Sequence, residues 1–314
     1  MKRMSLSLRV FDDKLYEYID AAQNFEKLAD GFVIGEGPVW DYDGNRLIFN
    51  DIPTNRTMTW SEGDGAKLLF YNGKKSNGNW LDRGRGLIMC DHHDSKLVRR
   101  GLDGSGYSVL ADSFDDIELN SPNDVVMRSD GLIYFTDPIF GRNDEPAGIP
   151  RPYPSERRPV YVLDERKGRL SIAAEGFRNP NGLCFSLDER MMYINDSPAY
   201  SIFAYDVSED GNLSNKRFFA GTEGERATMP DGMKIDEIGN VVCAARDGLY
   251  YFDPSGKLLG VLLTEEPVLN FAWGSDDGRT IFITCRSCLI SVRTKIRGHS
   301  HIRHLQLREV NNKH

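Results

Sequence analysis

The chain has 314 residues, 40% hydrophobic and 27% charged, with a formal net charge of −8. That length suits two ordinary domains or one large all-β domain, and the composition is that of a soluble globular protein. The acidic balance argues against the basic stripe of a nucleic-acid surface, and no apolar run approaches the roughly 18 residues that cross a bilayer.

The first residues, MKRMSLSLRVFDD, are basic but lack the sustained apolar core of a signal peptide. Five cysteines at irregular spacing do not form a disulfide framework. Both readings make the cytoplasm the expected compartment. Residues 1–24 read as an N-terminal extension in which Leu15, Tyr16, Tyr18 and Ile19 form a short helix against the body. Residues 25–32 (FEKLADGF) read as a strand opening one domain, 25–314.

From residue 36 onward a single pattern is stated six times. It is fullest at 123–137, NDVVMRSDGLIYFTD: a polar opener, an apolar strand, a polar turn ending in Gly, a second apolar strand and a polar stop. It recurs at 36–51, 77–91, 181–196, 231–245 and 270–285. Successive openers are 39 to 58 residues apart. Repeats near this length, each with about four short strands, are the signature of a β-propeller. Asp-Gly pairs at 43–44, 103–104, 130–131, 210–211 and 277–278 supply hairpin turns. The fold class is therefore all-β, a six-bladed β-propeller.

One gap is longer. Residues 138–159 hold six of the fourteen prolines, and a proline lacks the ladder donor a central strand needs. The segment reads as an extended loop, a possible lid over one channel mouth, that could be removed without loss of the sheets.

The openers are Glu36, Asn77, Asn123, Asn181, Asp231 and Asn270. In a propeller the first strand of each blade lines the channel, so equal register places these six around one axis. Two carboxylates without a Lys or Arg among the six must be protonated, paired or metal-bound. All-oxygen donors select a hard cation, Ca2+ first, with Mg2+, Mn2+ or Zn2+ as alternatives.

GEGPVW (35–40), SPNDVV (121–126), NPNGLCFSLD (179–188) and MPDGMKID (229–236) resemble motifs of the regucalcin–gluconolactonase family of metal-dependent lactonases. The resemblance runs from about residue 25 to 298. It implies a propeller with one divalent ion in its channel, held by Glu36, Asn181 and Asp231, with Asn123 beside them at metal, water or substrate. Ser121 stands where the regucalcin branch has a substrate-contacting Arg, so the likeness is to the gluconolactonase branch. SNGNWLDRGRGLIMCDHH (76–93) keeps Asn77 and His92, and His93 takes a position usually small.

The implied reaction is ring opening of a small sugar lactone by metal-activated water. Asp231 is the expected general base, and Asn123 the expected partner of the carbonyl or a ring hydroxyl. Asn77, His92 and Asn270 complete the expected substrate surface. No GxSxG elbow is present. Phosphotriesterase-like hydrolysis on the same propeller and a non-enzymatic calcium-binding or scaffold propeller are the alternatives. The sequence does not decide between monomer and homo-oligomer. Cys285-x-x-Cys288 is expected not to aim its thiols together, and the basic tail 293–308 to be a solvated terminus.

Overall fold

The computed structural model of the protein describes residues 2–82, 84–143, 145–222 and 228–311. Six antiparallel sheets surround a channel. From the inside outward, the first blade runs Gly35–Asp41, Arg46–Asp51, Arg56–Ser61 and Gly65–Tyr71. The inner strands of the next five are Ser76–Asp82, Val125–Met127, Pro180–Phe185, Pro230–Ile235 and Val268–Gly274. Each alternates with its neighbours to bury apolar residues between blades. The largest cluster, around Phe271, Tyr251 and Trp273, lies between blades five and six. At 130–131 the hairpin turn uses Gly131 at φ +95°, a conformation that a side chain would strain.

The ring closes with strands from opposite ends of the chain. Asn24–Asp30 pairs with Cys288–Arg293 as the fourth strand of blade six. The extension then adds a fifth strand to two blades. Lys2–Ser5 pairs with Asn24–Asp30, and Ser7–Val10 pairs with Leu258–Leu263 of blade five. Their signal was present in the alternation of Met4, Leu6, Leu8 and Val10, all of which pack against the cluster between those blades. The expected helix is α1 (Leu15–Tyr18); Leu15, Tyr18 and Ile19 are buried, whereas Tyr16 points outward.

Two further expectations are corrected. The Cys285 and Cys288 thiols do meet, because they flank the turn of a hairpin and pack into the same cluster. The tail is not a solvated terminus either: its helix α3 (His299–Asn311) docks across the ends of the inner strands. There the His304 ring stacks on Tyr42 at 4.5 Å, and Arg303 donates to the Met127 carbonyl at 3.1 Å. Below α3 lies a cavity of about 170 Å3, lined in part by Trp40, Trp80, Phe185, Lys234 and Trp273. No helix among the described residues is long and apolar enough to cross a membrane.

Candidate active site

The six openers lie at the channel end opposite α3: five fall on the second or third residue of an inner strand, and Asn123 two residues before one. In five blades the register of the inner strand slips at the opener: between Glu36 and Val39, Ser76 and Asn79, Pro180 and Leu183, Pro230 and Met233, and Val268 and Asn270. In blade three the regular ladder begins at Val125, and Asn123 and Asp124 together face Thr136: the Asn123 amide donates to the Thr136 carbonyl at 2.9 Å and the Thr136 amide to the Asp124 carbonyl at 3.0 Å. A bulge releases one residue from the pleat and re-aims its side chain, a frequent device beside active sites.

The polar stops fix the approach to this ring. Asp51 accepts the Val33 and Ile34 amides at 3.0 and 3.1 Å. Asp137 accepts those of Asn120 and Ser121, both at 2.8 Å, and Asp196 those of Arg178 and Asn179 at 2.7 and 2.9 Å. Each carboxylate satisfies two donors of the segment that leads into its own blade's opener. Asparagines just before two of these stops reach the next blade. Asn50 donates to the Asn77 carbonyl at 2.8 Å, and Asn195 to the Asp231 carbonyl at 2.6 Å.

In four blades a glycine follows the opener, and it permits contact between blades. A Cβ on Gly37 would lie 2.1 Å from the Asn77 carbonyl oxygen, and one on Gly182 would lie 2.1 Å from that of Asp231. On Gly78 it would lie 2.4 Å from the Asn123 carbonyl oxygen, and on Gly232 it would lie 2.0 Å from Asn270 Oδ1. Blade three has Asp124 at this position instead. Its carboxylate is buried; one oxygen accepts the Val125 amide at 2.9 Å and the other has no partner among the described residues.

The polar contacts orient the ring. Glu36 Oε2 accepts the Gly37 amide at 2.7 Å and Asn270 Nδ2 at 3.1 Å, which leaves Oε1 open. Asn270 Oδ1 accepts Lys234 Nζ at 3.2 Å and the Phe271 amide at 2.9 Å, so both ends of that amide are engaged by the protein. Asn181 donates to Ser197 Oγ at 3.1 Å and to the Asp231 carboxylate, and its Oδ1 stays open. Asn77 Nδ2 lies 3.2 Å from His92 Nε2. The Asn123 side chain is buried and has no hydrogen-bond partner among the described residues.

Burial pushes the Glu36 carboxyl up to about 7; the Gly37 amide opposes that rise and the Asp124 charge adds to it. Burial raises Asp231 well above the carboxylate range, and the charges of Glu36 and Asp124 raise it further. Asp124 is raised too, mainly by burial and against the pull of Lys234. Glu36 and Asp124 are buried with Lys234 as their nearby cation, and half-buried Asp231 has Arg246; none of the three carboxylates makes a close ion pair among the described residues. That electrostatic deficit and the open oxygens of Glu36, Asn181 and Asp231 fit a hard divalent cation. No three His, Cys, Asp or Glu side chains converge among the described residues, so the candidate donor set needs the Asn181 amide.

His92 is buried against the 138–159 segment, which holds one turn, α2 (Phe140–Asn143), and no strand. The loop, expected to be removable without loss of the sheets, is tied to them by hydrogen bonds. Arg142 is buried and donates to the carbonyls of Asn120, Leu119 and Pro152 at 2.5, 2.8 and 2.8 Å, and to Ser95 Oγ at 3.0 Å. Arg151 donates to the His92 carbonyl at 2.8 Å, and Lys75 Nζ to the Pro146 carbonyl at 2.6 Å. The loop is docked beside blade two at the opener end of the channel.

Sequence reasoning named the six openers and His92. It missed Asp124 and Lys234, which lie one and three positions past openers; the break in the opener-Gly rule at Asp124 was the available signal.

A family model described as "SMP-30/Gluconolactonase/LRE-like region" matches residues 34–287. The chain is 29% identical to a gluconolactonase of Zymomonas mobilis over 92% of its own length and 86% of the relative's. It is 26% identical to the pentonolactonase XacC of Haloferax volcanii over 80% of this chain and 81% of that one. A solved gluconolactonase structure from Xanthomonas campestris superposes with a TM-score of 0.85 at 28% identity, covering 94% of this chain and 98% of that one. The chain is a six-bladed β-propeller that belongs to the SMP-30/gluconolactonase/LRE-like family.

Proposed function

We propose that this protein is a metal-dependent lactonase that opens the ring of a sugar lactone at the opener end of its channel. The observation that carries the reading is the pair of carboxylates, buried Glu36 and half-buried Asp231, in one ring with the Asn181 amide and without an ion-pair partner among the described residues. Lactone hydrolysis is the activity in the names of the gluconolactonase and pentonolactonase relatives. Glu36, Asn181 and Asp231 would hold the ion, with Ca2+ favoured by the all-oxygen donors. When bound, a divalent ion supplies Lewis acidity toward an ester carbonyl and makes a neighbouring water more acidic.

The chain's own residues supply the remainder. Asp231, half-buried, takes the proton of the attacking water as general base. Asn123, with a side chain not committed to the protein, donates to the carbonyl oxygen or a ring hydroxyl as charge develops. Asn270 acts from behind Glu36 rather than on the substrate, since both ends of its amide are engaged. Metal-stripped protein assayed on a panel of aldonolactones, with Ca2+, Mg2+, Mn2+ and Zn2+ returned singly, tests the reading. Lactone turnover restored by one of these ions is expected; turnover of an organophosphate but of no lactone would replace it.

A further inference from the structure

The contacts of His92 determine more than its position. Its Nδ1 lies 3.4 Å from the Ala147 carbonyl oxygen, which can only accept, so this contact favours the tautomer with the ring proton on Nδ1. The ring is neutral: burial pushes its pKa down to about 4, and the Arg151 and Lys75 cations push the same way. Nε2 is then a bare acceptor. The group 3.2 Å away must donate to it, and in Asn77 that group is Nδ2. The side-chain amide oxygen of Asn77, Oδ1, is left without a protein donor among the described residues, at the opener position of blade two.

Ala147 belongs to the proline-rich loop, and the loop seats the ring by direct contact. A Cβ on Gly141 would lie 2.7 Å from His92 Cγ and 2.7 Å from Ser121 Cβ, so only glycine lets α2 approach this closely. Arg151 holds the His92 carbonyl from the same loop.

We propose that His92 is a positioning residue: seated by the 138–159 loop, it turns Asn77 so that the amide oxygen faces the channel as an acceptor for a hydroxyl of a polyhydroxylated lactone. This deepens the lactonase reading and rests on it for the substrate class, though not for the orientation of the amide. The loop then sets specificity without touching the reacting atoms. A lactone without ring hydroxyls has no donor to offer Asn77 and gains nothing from the arrangement.

Two measurements test it. The first is a long-range 1H–15N correlation spectrum of the wild-type protein, with the His92 signals assigned by their loss in His92→Gln. The expected result is a neutral ring protonated at Nδ1. The tautomer protonated at Nε2, or an imidazolium at pH 7, overturns the proposal, because Asn77 would then face the other way. The second compares glucono-δ-lactone with unsubstituted δ-valerolactone in His92→Phe and Gly141→Ala. KM for the hydroxylated lactone is expected to rise roughly 3- to 10-fold, the worth of one neutral hydrogen bond, with KM for δ-valerolactone unchanged. His92→Gln, which keeps an acceptor near the place of Nε2, is expected to recover most of the loss. Equal rises with both lactones would reduce His92 to a structural role and overturn the proposal. Failure of the wild type to cleave any lactone would instead sink the lactonase reading, and the tautomer would still decide the orientation.

Discussion

Gly182→Ala tests how the channel ring is held. The added Cβ would sit 2.1 Å from the Asp231 carbonyl oxygen, 2.9 Å from the Met233 amide nitrogen and 3.0 Å from Asn195 Nδ2. The first contact is about 1 Å short of an ordinary van der Waals approach, and its partner is backbone, so blades four and five must part by about that much. The shift carries Asp231 with it and stretches the 2.6 Å bond that Asn195 makes to the Asp231 carbonyl. A misplacement of about 1 Å at a catalytic group costs on the order of 10²-fold in rate, and overpacking costs about 1–3 kcal/mol. Initial-rate lactone hydrolysis at saturating metal, with urea unfolding beside it, reads both. We expect kcat to fall about 10²-fold in a protein that stays folded at 25 °C. A variant with wild-type kcat would show that the backbone contact between blades does not position Asp231.

Asp231→Asn keeps shape and one oxygen donor but removes the nominated base, so kcat should fall by at least about 10²-fold. Calorimetry should also show weaker metal binding, since ligand charge helps to set affinity. Arg142→Ala leaves the carbonyls of Leu119 and Pro152 without their donor and that of Asn120 with Ser95 Oγ alone; it should destabilise the fold by roughly 2 kcal/mol or more, measured by denaturant unfolding. Burial pushes Asp91 up to about 7, above its ordinary value of 3.8, so the folded state favours the protonated form. Its contribution to stability is therefore greatest below pH 3.8 and declines as pH rises toward 7. Asp91→Asn should flatten that decline, and a thermal-melt series from pH 4 to pH 8 that shows the same slope in both proteins would contradict it.

Much of this fold was legible because one repeat carries it. The pattern at 123–137 marks two apolar strands and a turn, and six copies in one register fix both the blade count and the ring of openers. The outer strands, such as Leu213–Gly221 and Leu258–Leu263, follow no shared motif, so the repeat does not place them. The five bulges were illegible for a different reason: a register slip depends on the partner strand, and the local sequence does not state its partner. The same limit hid Lys234. In sequence it is a lysine on an apolar strand, and only the approach of blade six to blade five puts its ammonium on Asn270 and so behind Glu36. The proline-rich loop was recognised as irregular backbone, but its anchoring by Arg142 and Arg151 arises from carbonyls about 10 to 60 residues away in sequence.

Metal dependence of lactone hydrolysis tests the central claim most directly. The protein, stripped with a chelator and dialysed, is assayed on glucono-δ-lactone before and after Ca2+ is returned, with Glu36→Gln beside it. The account predicts negligible enzymatic turnover in the stripped protein, recovery on addition of the ion, and little recovery in Glu36→Gln. Full turnover by the stripped wild-type protein, with no divalent ion detected by elemental analysis, would contradict it.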